Sequence, residues 1–234
     1  MKTVDRPSPN FDERTGGAPD AIILHYTDMK TAQEALDRLC DPAAKVSSHY
    51  LIDTDGTVYR LVPEDKRAWH AGKSYWAGET NMNSRSIGIE LANPGHTHGY
   101  VPFPAAQMRA LAELCRDIMA RHSIRPERVL AHSDVAPARK QDPGELFDWQ
   151  GLAAQGIGIW PDPLKEDFDK AASLDVRAAL TAWGYTPDDD LKTVLTAFQR
   201  HFHPEIFKTP EKVGQADNET AARLRWLQNL ILSA

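Results

Sequence analysis

The chain is organised around residues 131–144, which read AHSDVAPARKQDPG. The short run just before them, RVL at 128–130, is typical of a buried strand. Prolines and a glycine within the segment indicate a rigid, turn-rich loop, and a loop of this kind can hold polar side chains over a pocket. His132, Lys140 and Asp142 therefore bring an imidazole, an ammonium group and a carboxylate into one short stretch.

Two other stretches end in groups that can do chemistry. Residues 21–26 read AIILHY and residues 86–91 read SIGIEL, and such apolar runs are typical of central strands covered on both faces. His25 lies near the end of the first run and Glu90 near the end of the second. If these strands are neighbours of the strand before His132, the polar side chains meet at one rim of the sheet.

Two histidines and one carboxylate at such a rim, His25, His132 and Asp142, are the pattern of a catalytic zinc site that leaves one coordination position to water. Zinc lowers the pKa of bound water to about 7. Glu90 is then the natural general base, and later the acid that protonates a leaving amine. Lys140 would stabilise a tetrahedral oxyanion. Together these parts specify amide hydrolysis.

Each of these residues also has a purely structural explanation. A histidine at a strand end is more often a hydrogen-bonded core or surface group than a metal ligand. Because a buried unpaired carboxylate is costly, Glu90 would instead form a salt bridge to Arg85 or Lys140. Asp142, which precedes Pro143, is also a common turn or capping residue. The residue types alone leave both explanations open.

Four motifs occur in order over about residues 7–150. They are ILHYT at 23–27, SHYLI at 48–52, WHAG at 69–72 with SIGIEL at 86–91, and HSDVAP at 132–137 continuing into RKQDPG at 139–144. Their order and separation are far more specific than any single motif. On these residues the chain resembles the zinc-dependent N-acetylmuramoyl-L-alanine amidases of the type-2 amidase family, relatives of the peptidoglycan recognition proteins.

The resemblance implies a role for each candidate residue. His25, His132 and Asp142 would bind one zinc ion, Glu90 would accept the proton, and Lys140 would stabilise the transition state. The implied fold is α/β, with a mixed central β-sheet flanked by helices and a groove over the zinc. The implied substrate is peptidoglycan or a muropeptide, cleaved between (anhydro-)N-acetylmuramic acid and the L-alanine of the stem peptide.

Further residues near the motifs are expected to contact the substrate. They are Tyr26, Trp69, His70, Asn83 and Arg85. The face of the Trp69 ring would stack on a sugar. His49, which begins a hairpin strand, is expected to orient a ligand or support the core. Members of the family often carry an acidic residue near Ser84. This chain has none there, which would change how the substrate is contacted but not the catalytic residues.

The rest of the first part of the chain has recognisable local patterns. They predict an irregular arm over 1–20, a helix over 31–40, a hairpin of 48–52 and 57–61, a long loop region over 63–85, and a helix over 104–122. The last helix has Leu111, Cys115 and Ile118 on one apolar stripe, with Pro104 in its first turn.

The remainder of the chain carries helix signals only, after a break at Pro161-Asp162-Pro163. Helices are predicted at 174–183, 191–202 and 219–232, and parts of them resemble the three-helix peptidoglycan-binding module. We therefore expect a zinc amidase domain at 1–162 and a three-helix peptidoglycan-binding-like domain at 163–234. Such a module would hold the enzyme on its substrate and raise the effective concentration. The alternative is an appendage that only stabilises the amidase domain.

Composition limits the partners and the compartment. The 234 residues are 41% hydrophobic and 26% charged, which is typical of a globular protein. The net charge of -6 argues against a nucleic-acid partner. Cys40 and Cys115 are expected to be buried thiols. No long apolar run predicts membrane insertion, and residues 1–17 lack a signal-peptide core, so a cytoplasmic location is expected, or the periplasm or envelope if a leader was removed.

Two other functions stay open at this level. A non-catalytic peptidoglycan-binding protein would not need the three candidate ligands together with Glu90 and Lys140. A zinc peptidase acting on stem cross-links would use similar chemistry, although the family motifs disfavour it. The histidine pairs at 96/98 and 201/203 are expected in surface or helix-capping roles, not as metal ligands.

Overall fold

The computed structural model describes residues 2–232 and contains one large sheet with helices packed against it. Its strands are β1 (Thr3–Asp5), β2 (Phe11–Glu13), β3 (Ala21–Tyr26), β4 (Tyr50–Ile52), β5 (Val58–Arg60), β6 (Lys66–Ala68), β7 (Ser86–Leu91) and β8 (Val129–Ala131). Its α-helices are α1 (Ala32–Cys40), α2 (Met82–Arg85), α3 (Gly95–His98), α4 (Ala105–His122), α5 (His132–Val135), α6 (Trp149–Ala153), α7 (Lys165–Lys170), α8 (Val176–Trp183), α9 (Leu191–Phe202) and α10 (Asn218–Leu232). The predicted α/β class is confirmed.

The large sheet is mixed, with the strand order β1-β5-β4-β7-β3-β8. Strand β7 pairs in parallel with β4 and with β3, and β3 pairs in parallel with β8. Strand β5 is antiparallel to β4, which confirms the predicted hairpin. Strands β2 and β6 form a separate antiparallel pair. Because neighbouring parallel strands end at the same edge, β3, β7 and β8 deliver their last residues to one rim.

Alternation along β3 decides which side chains reach which face. Ile22 and Leu24 belong to an apolar core that includes Leu111 of α4. Ile23 belongs to a second core, which includes Phe198 of α9. His25 follows the alternation of Ile23 and therefore lies on the face that the C-terminal helices cover.

The C-terminal helical unit, residues 163–232, contains the three predicted helices as α8, α9 and α10, and also α7. Its buried residues Leu180 and Phe198 share the second core with Ile23 and Leu130 of the sheet. The unit thus packs on the sheet through one continuous apolar core. The boundary near 162 and the peptidoglycan-binding role both stay predictions.

Three local expectations were wrong. The arm over 1–20 contains β1 and β2, which pair with β5 and β6. All six residues of these two strands are exposed, so no apolar alternation signals them. The loop region over 63–85 contains β6 and α2. His201 and His203 are buried, so a surface role is wrong for both, whereas the expected capping position is found, with His203 as the C-cap of α9 and His201 in its last turn.

Two expectations from composition concern membrane insertion and the cysteine thiols. No helix within residues 2–232 has both the length and the apolar character needed to span a membrane. Both cysteines are free thiols. Cys115 is buried as expected, whereas Cys40 is only partly buried.

Candidate active site

Three polar atoms converge at the rim of the sheet. His25 Nδ1 lies 2.9 Å from His132 Nδ1, and each of these nitrogens lies 3.0 Å from Asp142 Oδ2. All three side chains are buried, and they form a group that could hold a metal ion. Ligand atoms of a tetrahedral site with bonds of about 2.1 Å lie roughly 3.4 Å apart, so a small outward movement admits an ion. The geometry and the donor set therefore fit a metal.

Strand pairing brings the two histidines together. Leu24 of β3 is the register partner of Ala131, the last residue of β8, so the residues that follow them, His25 in β3 and His132 at the start of α5, lie next to each other. The loop after α5 then returns Asp142 to the same point, where its carbonyl accepts a hydrogen bond from the Ser133 N–H at 3.0 Å. The candidate ligands are thus placed by the sheet and by one short loop.

The protonation states of His25 and Asp142 favour metal binding. Burial, aided by the neighbouring His132, lowers the pKa of His25 to about 4. Burial alone would raise the pKa of Asp142, but the two histidines hold it well below its usual value. A metal binds neutral imidazole and ionised carboxylate, and His25 and Asp142 are in those forms at neutral pH.

The far nitrogens of both histidines have partners that set their orientation. His25 Nε2 lies 3.0 Å from His70 Nδ1, and His132 Nε2 lies 3.3 Å from the Ala71 carbonyl. With Nδ1 of each ring facing the metal position, Nε2 carries the hydrogen and donates it to these acceptors. Such outer partners fix the tautomer and the ring angle of a ligand. His70 therefore supports His25 as well as lining the cavity.

Gly88 leaves the space that His70 occupies. A Cβ atom at Gly88 would come within 2.5 Å of the His70 ring, closer than real contacts allow. The glycine of SIGIEL was a signal for this close approach that the sequence reasoning did not use.

Glu90 faces the same site from β7. It is the register partner of His25 and lines the cavity with the three candidate ligands. Burial, with a further contribution from Asp142, raises its pKa well above the usual glutamate value. Its Oε2 atom is buried without a hydrogen-bond partner among residues 2–232. The salt bridge weighed as an alternative is therefore not formed within these residues.

The cavity beside these groups has a volume of about 320 Å³. Among the predicted substrate contacts, Tyr26, Trp69 and His70 line it. Lys140 also lines it and is an exposed residue. Arg38 of α1 is a further lining residue, which the sequence reasoning missed because a lone arginine in the last turn of a helix carries no distinctive pattern.

Two predicted substrate contacts lie elsewhere. Asn83 Oδ1 accepts hydrogen bonds from the backbone N–H groups of His70 and Ala71, at 3.0 and 2.7 Å. Arg85 pairs with Asp20. Both precede the first residue of β7, at the end opposite Glu90, so neither is placed to contact a substrate at the rim. The residues that line the cavity do not include Asn83 or Arg85, and a substrate contact by either one stays a prediction.

His49 supports the core next to His70. Its Nδ1 accepts a hydrogen bond from the Gly88 N–H at 2.9 Å, so Nε2 carries the ring hydrogen and donates to the Lys66 carbonyl at 3.1 Å. The His49 ring meets the His70 ring edge-on, with the centroids 5.6 Å apart. His49 thus contacts His70, which in turn contacts the candidate ligand His25.

Fold and site together define a hydrolase with a His-His-Asp centre at the rim of a mixed sheet. The chain belongs to the family described as N-acetylmuramoyl-L-alanine amidase, whose model matches residues 15–145. It is accordingly an enzyme of this amidase class.

Particular relatives extend the likeness beyond the matched range. The N-acetylmuramoyl-L-alanine amidase AmiD of Escherichia coli K12 is 41% identical over 229 residues, which cover 86% of this chain and 79% of AmiD. The solved complex of E. coli AmiD with anhydro-N-acetylmuramic acid-L-Ala-D-γ-Glu-L-Lys is 38% identical, with a TM-score of 0.79 over 94% of this chain and 93% of that chain. AmpDh3 of Pseudomonas aeruginosa is 31% identical, with a TM-score of 0.81 over 97% of this chain and 98% of that chain.

Proposed function

We propose that the chain hydrolyses the amide bond between N-acetylmuramic acid, in its ordinary or 1,6-anhydro form, and the L-alanine of the stem peptide. The observation that carries this proposal is the placement of the partly buried Glu90 carboxylate beside the group of His25, His132 and Asp142 in one cavity. The substrate class is supported by the AmiD complex and by a complex of AmpDh3 with anhydromuramic pentapeptide, which is 31% identical with a TM-score of 0.80.

The metal of this proposal is one zinc ion per chain, held by His25, His132 and Asp142. Two imidazoles and a carboxylate suit zinc, and three protein ligands are the number found in catalytic zinc sites. When bound, zinc would supply an activated water and polarise the substrate carbonyl. His70 and the Ala71 carbonyl would keep the two rings turned toward the metal position.

Glu90 is the proton carrier of the reaction. Its burial raises its pKa well above the usual value, which strengthens it as a base relative to an exposed glutamate. It takes a proton from the attacking water and later delivers it to the α-amine of the departing L-alanine. The Oε2 atom, which has no hydrogen-bond partner among residues 2–232, leaves the carboxylate free for this exchange.

Lys140 stabilises the charge that develops on the substrate. Its side chain lines the same cavity as Glu90, and a positive charge there offsets the negative charge of the tetrahedral oxygen. Tyr26 and Trp69 line the neighbouring cavity wall and would hold the sugar or the peptide stem.

The test is mass spectrometry of products from purified anhydro-muropeptide and from whole sacculi, with and without a chelator. We expect release of peptide that begins with L-alanine, loss of this activity on chelation, and its return with zinc. No release from either substrate, with the protein still pelleting with sacculi, would contradict the proposal and favour a binding protein. Cleavage within the stem peptide would favour a zinc peptidase. The cytoplasmic location stays a prediction, which fractionation of the native cells would test.

A further inference from the structure

One buried carboxylate joins the metal site to the C-terminal helical unit. Asp134 is fully buried and follows the ligand His132 by two residues. Its Oδ1 accepts a hydrogen bond from the Tyr185 hydroxyl at 2.6 Å, and its Oδ2 lies 2.7 Å from His201 Nδ1. Oδ2 also accepts a bond from the Ala131 N–H at 2.7 Å. Two of its three partners therefore come from the C-terminal unit.

The two C-terminal partners are themselves held in place. Tyr185 is fully buried and meets Trp76 edge-on, with the ring centroids 5.0 Å apart. The His201 ring is stacked between Trp149 and Phe202, with centroids at 3.7 and 3.9 Å. Since a stacked ring cannot turn without breaking both contacts, the donor directions toward Asp134 are set by packing.

The local chain around His132 cannot hold its own shape. Helix α5 is a single turn of four residues, and one helical turn is unstable in isolation because nucleation fixes many dihedral angles for few hydrogen bonds. The Asp134 bond to the Ala131 N–H is the usual capping interaction. It ties the turn to β8, and two backbone bonds hold its other side, from the Ser133 N–H to the Asp142 carbonyl at 3.0 Å and from the Tyr75 N–H to the Val135 carbonyl at 2.8 Å. Tyr185 and His201 add the contacts that fix the Asp134 side chain against the C-terminal helical unit.

We propose that Tyr185 and His201 are positioning residues for the metal centre, acting on His132 through Asp134. The C-terminal helical unit then helps to orient a metal ligand, in addition to any affinity it has for the cell wall. This inference rests on the metal site of the proposed function. Outer residues that orient ligands typically change metal affinity by 10–100-fold when removed.

The first test is zinc affinity, measured by competition with a chromophoric chelator on the full chain. Tyr185→Phe keeps the ring and removes only the hydroxyl, so it should fold normally. We expect its dissociation constant for zinc to rise severalfold, less than is typical for a group bonded directly to a ligand, because Tyr185 bonds to Asp134 and not to His132 itself. We also expect the visible absorption spectrum of the cobalt-loaded variant to differ from that of the wild type, because that spectrum reports ligand geometry.

A matched pair at His201 isolates the hydrogen bond from the stacking. His201→Asn and His201→Leu both lose the ring, but the asparagine amide can still donate near the Nδ1 position. We expect zinc affinity to be closer to that of the wild type in His201→Asn than in His201→Leu. If His201→Leu does not fold, Tyr185→Phe decides the question alone.

The control is Leu180→Ala, which loosens the same shared core but removes none of the groups that hydrogen-bond to Asp134. We expect it to lower the melting temperature while leaving the zinc dissociation constant unchanged. An equal loss of zinc affinity in Leu180→Ala and Tyr185→Phe would overturn the inference, as would an unchanged constant in Tyr185→Phe. A wild-type chain that binds no zinc would instead contradict the proposed function.

Discussion

His25 and Glu90 are direct register partners across the parallel pair β3 and β7. Their side chains therefore lie side by side on one face of the sheet, while Ile89 and Leu91 point into the core beneath α4. A slip of one residue in this pairing would turn Glu90 into that core and away from the metal site. The distance between the candidate base and a candidate ligand is thus set by the sheet itself rather than by a loop.

Replacing the candidate base should separate catalysis from metal binding. In Glu90→Gln the amide keeps the shape of the side chain but cannot take up a proton, so we expect kcat to fall by about 10²–10⁴-fold. Zinc content, measured by atomic emission, should stay at the wild-type level. Asp142→Ala is the comparison and should lose both zinc and turnover. An active, zinc-loaded Glu90→Gln protein would remove Glu90 from the mechanism.

Lys140→Met should lower kcat because the positive charge near the developing oxyanion is lost. The expected loss is about 10²-fold or more, typical of one stabilising group, with KM and zinc content little changed. Lys192→Met is the matched control, since Lys192 borders a neighbouring cleft that Lys140 also lines but lies outside the metal cavity. Equal losses in both variants would indicate a general effect of surface charge and not a role specific to Lys140.

Gly88→Ala should displace His70, which contacts the candidate ligand His25, and so lower both stability and zinc affinity. The new methyl group would lie within 2.5 Å of the His70 ring, and overpacking of this kind typically costs about 1–3 kcal/mol. Chemical unfolding would measure the loss of stability, and chelator competition the loss of zinc affinity. The double variant Gly88→Ala/His70→Ala removes the clashing ring. Its loss of unfolding free energy should therefore be smaller than the sum of the losses in the two single variants. Strict additivity would contradict the predicted clash.

Glu64 should make stability depend on acid pH. Burial tends to raise its pKa, but hydrogen bonds from Arg121, Tyr50 and His122 lower it from 4.5 to about 2. The ionised form is thus favoured by folding, and this contribution is present above about pH 4.5 and lost as the pH falls toward 2.

The corresponding variant is Glu64→Gln. The Glu64 side chain is only 12% exposed, so we expect the variant to lose unfolding free energy on the order of 2 kcal/mol at pH 7. This difference from the wild type should become smaller as the pH is lowered below 4.5. Urea unfolding at pH 7, 5 and 4 measures the trend. Glu205→Gln, at an exposed position, should show almost no difference at any of these pH values. A loss for Glu64→Gln that does not change with pH would contradict the assignment.

Much of the site follows from local sequence patterns. The apolar runs at 21–26 and 86–91 predicted the strands that carry His25 and Glu90, and the turn-rich loop predicted the return of Asp142 to the rim. These patterns are readable because a strand buried on both faces must be apolar until the point where it meets solvent or a site. The pairing of β3 with β8 then brings the two histidines together.

Long-range partners were not readable in the same way. Arg85 lies close in sequence to Glu90, yet it pairs with Asp20 at the far end of β7, because an extended strand separates its ends in space. The exposed strands β1 and β2 exist only through their pairing with β5 and β6, and no apolar pattern marks such edges.

The sequence by itself determined the chemistry of this protein: which side chains stand at the ends of buried strands, and the family to which their motifs belong. Only the tertiary structure decided how that chemistry is supported. The sequence pattern predicts that Tyr185 and His201 belong to a separate helical domain, yet both contact Asp134 beside a candidate ligand. The physical reason is that a hydrogen bond between distant segments depends on packing of the whole chain, which local periodicity does not encode.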